Sequence, residues 1–146
     1  MTIQQHPRRM ITLGFIVGGC VNVFGSLLVS VGFTNRLPAS LDPVVFSHFG
    51  FVAIMLWGLA YVAVSRSYQQ VPSLVMVFAL EKLVYTITWL LWMSRSADRI
   101  PGLFSEAPLT AAFFSTYGVV DFSFGVFFAC VAASTLRQRK SFKPGV

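Results

Sequence analysis

Long apolar runs separated by short polar breaks set the plan of this chain. They cover about residues 10–33, 43–64, 71–93 and 109–135, with few charges inside them. At about 1.5 Å per residue, each run is long enough as a helix to cross a hydrocarbon core of about 30 Å. Every proline lies at or outside a run boundary: Pro7, Pro38, Pro43, Pro72, Pro101, Pro108 and Pro144. Proline breaks helix interiors, so this placement predicts uninterrupted helices. The period-2 alternation of a membrane β-barrel is absent. The predicted fold is all-α: one polytopic domain over residues 1–146, a four-transmembrane-helix antiparallel bundle. Asp42-Pro43 reads as a helix start, because Asp caps and Pro suits the first turn. Residues 35–42 read as a polar loop, 65–70 as a tight connection and 94–107 as the longest loop.

Composition agrees with the pattern. Hydrophobic residues make up 55% of the chain and charged residues 11%, against about 25% charged in soluble domains. The net charge is +6, yet the basic residues sit at span ends rather than on one face. That distribution argues against nucleic-acid binding and for an orientation signal facing anionic lipids. One side of the predicted topology holds Arg8, Arg9, Arg66, Arg137, Arg139, Lys140 and Lys143; the other holds Arg36, Arg95 and Arg99. The positive-inside rule then puts both termini in the cytoplasm of a multi-pass protein of the cell membrane, in a bacterium the inner membrane. Trp89 and Trp92, near one end of the third span, read as an interfacial belt, and Trp57 as packed more deeply. Cys20 and Cys130 form no CxxC and read as small buried hydrophobes.

The candidate chemistry lies at mid-depth. Glu81 and Lys82 are adjacent at the centre of the third run, Asp121 is central in the fourth and Asn22 in the first. A charge at bilayer mid-depth costs about 2.5–3.5 kcal/mol on insertion scales, so such groups are expected to pair inside a bundle. Lys82 is expected to pair with Asp121. Asn22, Tyr85 (one turn from Glu81) and Tyr117 (one turn from Asp121) are expected to supply hydrogen bonds. Two carboxylates face one ammonium. The surplus acid is expected to be neutral, to hold a cation or to be reached by water, with no basis for choosing between Glu81 and Asp121. The cluster reads either as a structural ion-pair network or as a functional site.

Gly14, Gly18, Asn22 and Ser26 recur every four residues on the first span. Such a stripe lets helices approach closely, either within the chain or in a homo-oligomer or larger membrane complex through the Gly14/Gly18 face. His48, Trp57 and Tyr61 fall on roughly one face of the second span and are grouped as a candidate ligand pocket. No haem is expected, because His6, the other histidine, lies at the opposite side. A faint echo links the loops, Arg36-Leu37-Pro38 with Asp42-Pro43 and Arg99-Ile100-Pro101 with Pro108. Duplicated helical hairpins would produce it, and so would shared loop chemistry. There is no nucleophile–base set, metal cluster, phosphate loop or dinucleotide fingerprint, so an enzyme is the least supported reading.

The Gly-rich first span, Gly50 and Gly58 in the second, Glu81-Lys82-Leu83 with Thr88-Trp89-Leu90-Leu91 in the third, and Tyr117-Gly118 with Asp121 and Gly125 in the fourth form one layout. It resembles the small four-helix bacterial membrane proteins grouped as DoxX-like, over most of the chain. The resemblance implies the four-helix fold and, for some relatives, work beside redox or quinone-linked partners. The expected function is an accessory or binding protein. Its buried polar site would take a lipid-like or quinone-like ligand or a partner subunit; no cofactor is otherwise expected. The alternative is a small proton- or cation-coupled transporter.

Overall fold

The computed structural model describes residues 8–141. His6, Pro7, Lys143, Pro144 and the side chain of Lys140 lie outside the described residues. Six α-helices follow in order: α1 (Arg9–Val29), α2 (Leu37–Leu41), α3 (His48–Val64), α4 (Pro72–Ser96), α5 (Ile100–Glu106) and α6 (Pro108–Ser141), with a 3-10 turn at Ala97–Arg99. Among the described residues there is no strand. Proline stands in the first turn of α2, α4 and α5 and opens α6, where its missing N–H has no intrahelical partner to lose. α1, α4 and α6 are each long and apolar enough to cross a membrane; α3 is apolar but shorter, at 17 residues.

Three boundaries differ from the sequence reading. The first helix stops at Val29, not Phe33, because Val31, Gly32 and Phe33 turn left-handed with φ of 47°, 61° and 69°. Gly32 N donates to Leu27 O (2.9 Å) and Asn35 Nδ2 to Val29 O (3.0 Å), satisfying carbonyls freed by the stop. The second long helix starts at His48 rather than Pro43. Asp42 Oδ1 accepts from Val44 N and Val45 N (3.2 and 3.1 Å), capping a tight turn, and Ser47 caps the helix by accepting from Gly50 N (3.1 Å). The supposed long loop 94–107 is largely helical, and α6 continues past Thr135 to Ser141.

The long helices pair antiparallel. Gly19 meets Gly58, and Asn22 Nδ2 donates to Ile54 O (3.2 Å), so α3 runs back along α1. A Cβ on Gly19 would lie 2.5 Å from Gly58 O, so the backbones approach closer than any side chain permits. α6 runs back along α4, as shown by Lys82 beside Asp121, Trp89 on Phe114 O and Phe78 against Phe128. Tyr61 and Trp57 of α3 pack on Phe78 of α4, and Phe127 and Phe124 of α6 cover Gly14 and Gly18 of α1. The four long helices therefore form a ring in the order α1, α3, α4, α6.

Each pair is a long helix, a short helix opened by X-Pro, and a returning helix. The residues ending the two short helices, Asp42 (φ −142°, ψ 89°) and Ala107 (φ −146°, ψ 73°), share one extended conformation. Each precedes a proline, which excludes the α region. The loop echo thus corresponds to matching local structure.

Two aromatic cores fill the ring. One, near α2 and α5, gathers Phe46, Phe51, Trp92, Phe114 and Tyr117; the other, near the start of α1, gathers Phe15, Tyr61, Tyr68, Phe78 and Phe128. The outside is apolar as well. Leu13, Phe24 and Leu28 of α1, Leu56 and Leu59 of α3, Leu83, Val84 and Leu90 of α4, and Val119, Phe122 and Val126 of α6 are all exposed. A water-facing surface rarely carries so continuous an apolar band.

Candidate functional site

Between the two aromatic cores lies a polar layer with contributions from all four long helices. Lys82 Nζ donates to Asp121 Oδ1 at 2.6 Å and to Asn22 Oδ1 at 3.0 Å, and stands 4.0 Å from Glu81 Oε1. The structure thus brings together Asn22, Glu81, Lys82 and Asp121 from α1, α4 and α6. The contribution of α3 is Tyr61, whose hydroxyl donates to Glu81 Oε2. Tyr61 is fully buried.

Tyr61 is the partner that sequence reasoning missed, having placed it in a different group. A buried tyrosine needs a partner for its hydroxyl, and its depth on the second span was the available signal. The surplus acid is therefore Glu81, divided between two environments. One oxygen accepts from Tyr61; the other is buried without a hydrogen-bond partner among the described residues. The Lys82 ammonium also lies 5.6 Å from the Tyr61 ring and 5.8 Å from the Tyr85 ring, within cation–π range. Asn22 is held in register because its amide nitrogen donates to Ile54 O.

Next to the layer is a cavity of about 140 Å³. Asn22, Ser26, Lys82 and Asp121 are among its polar lining, and Phe46, Ile54, Tyr85, Phe113 and Tyr117 make much of the rest. Tyr117 is only 6% exposed, and its hydroxyl has no partner among the described residues. The tyrosines expected to brace the charges instead line this space: neither Tyr85 nor Tyr117 donates a hydrogen bond to Glu81 or Asp121. Val21, Gly25, Thr116 and Val120 also line the cavity, with Val21, Thr116 and Val120 exposed on the outside of α1 and α6. The cavity consequently opens sideways between those helices, through the apolar band. A Cβ added to Gly25 would meet nothing within 4 Å.

The grouping of His48, Trp57 and Tyr61 as one pocket does not hold. None of them lines the cavity. His48 is exposed at the far end of α3, its Nε2 donating to Phe33 O at 3.1 Å. Thirteen residues of helix, about 20 Å, separate it from Tyr61. Trp57 is half-buried against Phe78.

Other expectations are corrected by packing. The Gly14/Gly18 face is filled from within the chain: Cβ atoms there would lie 2.5 Å from Phe127 and 3.0 Å from Phe124. This is the within-chain approach that the stripe allows. Trp89 and Trp92 do not form an outward belt. Trp89 Nε1 donates to Phe114 O (2.8 Å) and Trp92 Nε1 to Leu41 O (3.1 Å), and Trp92 is buried. Cys20 and Cys130 are exposed on the outer faces of α1 and α6, not buried. Apolar residues line the outside of a membrane bundle as readily as its inside, which hydropathy cannot distinguish. Among the described residues, no cluster of three or more His, Cys, Asp or Glu could hold a metal ion. No protein-family model, curated protein or solved structure matches the chain, so the reading of the site rests on its own residues.

Proposed function

We propose that this chain is a small integral membrane protein with four spans and both termini cytoplasmic, in the bacterial inner membrane. In this reading it is an accessory or binding protein. It takes a lipid-like or quinone-like molecule from the bilayer into its mid-depth polar site. The observation that carries the reading is a cavity between α1 and α6 that is lined by Asn22, Ser26, Lys82 and Asp121 and is otherwise largely apolar and aromatic. The antiparallel course of α3 along α1 supports a fourth span despite its length, since 17 residues is at the lower limit for crossing. Described basic residues support the orientation: Arg8, Arg9, Arg66, Arg137 and Arg139 gather at one end of the bundle, and Arg36, Arg95 and Arg99 at the other. The resemblance to DoxX-like proteins favours a quinone-linked setting.

Native mass spectrometry of the gently extracted protein tests this reading. A co-purifying lipophilic molecule is expected in the wild type and its loss in Gly25→Leu, which fills open space at the portal. A ligand-free wild type in native lipid would overturn the reading.

The second reading, a proton- or cation-coupled transporter, draws on the unpartnered Glu81 Oε1. Proton flux into proteoliposomes that disappears in Glu81→Gln would favour it.

A further inference from the structure

The ion pairs of the polar layer leave one charged atom on the cavity free. Lys82 Nζ donates to Asp121 Oδ1 at 2.6 Å and to Asn22 Oδ1 at 3.0 Å, and the Asn22 amide nitrogen is spent on Ile54 O. Both Lys82 and Asp121 line the cavity, but the Asp121 side chain is 14% exposed and that of Lys82 only 3%. The second carboxylate oxygen, Asp121 Oδ2, has no hydrogen bond among the described residues. Unlike Glu81 Oε1 and the Tyr117 hydroxyl, it is not sealed and stays open to a water-sized molecule. The charged atom that an entering molecule meets is therefore a carboxylate oxygen, not the ammonium.

A carboxylate oxygen only accepts, and hydrogen bonds to an ionised acceptor are about twice as strong as neutral ones. Asp121 Oδ2 thus favours a head that donates, a hydroxyl or an amide N–H. An ether, ketone or ester oxygen has nothing to give it and would cover it without replacing its water. Ser26, 5% exposed, and Tyr85 also line the cavity. Their hydroxyls donate and accept alike, so they serve either class of head and leave the choice to Asp121. Charge narrows the class. A ligand carboxylate would bring like charge to Oδ2, and an ammonium would stand close to the Lys82 ammonium, in a low dielectric where repulsion is strongest. A neutral head escapes both. The volume of about 140 Å³ is close to that of an engineered cavity of about 150 Å³ that admits benzene, so the head has about six non-hydrogen atoms. Val21 and Val120, exposed where the cavity meets the apolar band, leave an alkyl tail in the bilayer.

We infer that the cavity selects amphiphiles with a neutral head that donates a hydrogen bond, and that Asp121 Oδ2 is the acceptor that distinguishes them from acceptor-only and charged heads. This inference rests on the ligand-binding reading given above and adds the chemistry of the head.

The test uses the full chain in nanodiscs of zwitterionic lipid, photolabelled by a long-chain alcohol that carries a diazirine in its tail. The unlabelled alcohol, its methyl ether, the matched alkylamine and the matched fatty acid compete at equal mole fraction in the bilayer. The alcohol is expected to compete at least about tenfold better than each of the others, a difference of about 1.4 kcal/mol. Asp121→Asn supplies a second readout. Lys82 holds the side-chain oxygen of the new amide, which leaves its nitrogen, a donor, for the cavity. The advantage of the alcohol over the ether should then fall by about tenfold. Equal competition by alcohol and ether in the wild type would overturn the selection for donors while leaving a binding protein. Equal or better competition by the amine or the acid would overturn the selection for neutral heads. A full alcohol preference in Asp121→Asn would overturn the role of that carboxylate. Labelling that no competitor reduces would overturn both the inference and the reading beneath it. The wild-type comparison decides the selection even if the variant does not fold.

Discussion

Lys82 Nζ and Asp121 Oδ1 lie 2.6 Å apart across 39 residues of chain, joining α4 to α6 at the level where the bundle is otherwise aromatic above and below. Among the described residues, the pair is the one ionic contact between the two helices. Asn22 extends it to α1, and Tyr61, through Glu81, ties α3 to α4. The layer therefore sets the rotation of all four long helices at one depth.

Removing one member should cost more than removing both. Breaking a buried pair leaves an uncompensated charge and typically costs about 3–5 kcal/mol, whereas replacing both partners by apolar residues is often close to neutral. Lys82→Met should therefore destabilise strongly, and Lys82→Met with Asp121→Leu should recover more than half of the loss. Unfolding in lipid or detergent, analysed as a double-mutant cycle, checks this. Additive losses would mean that the contact is not energetically coupled.

Tyr61→Phe keeps the fully buried ring but removes a hydrogen-bond donor to Glu81. A loss of about 1–3 kcal/mol is expected from the acceptor left behind. Adding Glu81→Leu should restore most of it. A Tyr61→Phe protein as stable as the wild type would show that water or Lys82 satisfies the acid instead.

Two glycines should respond in opposite directions to the same substitution. At Gly58 a Cβ would lie 2.8 Å from both Asn22 Cβ and Gly19 O, so Gly58→Ala should cost about 1–3 kcal/mol by forcing α1 and α3 apart. At Gly25 a Cβ meets open space, so Gly25→Ala should be neutral or stabilise by up to about 1 kcal/mol through helix propensity. Thermal unfolding of both variants measures the contrast.

Whether α3 crosses the bilayer is decided at its two flanks. Val44 and Gln70 are exposed on either side of it. With Val44→Cys and Gln70→Cys in a Cys20→Ser, Cys130→Ser background, a membrane-impermeant maleimide added to sealed, oriented vesicles should label one site and spare the other. Labelling of both from the same side would remove the fourth span.

The exposed native thiols report on the surrounding medium. Cys20 and Cys130 sit on the outer faces of α1 and α6. In vesicles, a lipophilic carbene photoprobe, which inserts without a thiolate, should label the helix faces around both, and a sulfonated maleimide should modify neither thiol. Rapid reaction with the sulfonated reagent would place these faces in water.

The helices and the polar layer were legible in the chain for a simple physical reason. A run of apolar residues has no way to satisfy its backbone in hydrocarbon except as a helix, and a charge inside it demands a partner. Asn22, Lys82 and Asp121 could be matched by depth alone. The ends of the helices were less legible, because hydropathy does not register the left-handed turn at Val31 to Phe33 or the capping turn made by Asp42. Which side of each helix faces inward was not legible at all. In a chain apolar on all sides, Cys20 and Leu28 look as buried as Phe15, and Gly14 looks as free for a second protomer as for Phe127. Only the packing of four helices into a ring assigned Tyr61 to Glu81 and left the Tyr117 hydroxyl buried without a partner among the described residues. Of the adjacent charges of the third run, Lys82 has the partner that its depth called for. Glu81 has the one that only tertiary contact could supply, because a hydroxyl on a distant helix carries no charge by which the sequence could announce it.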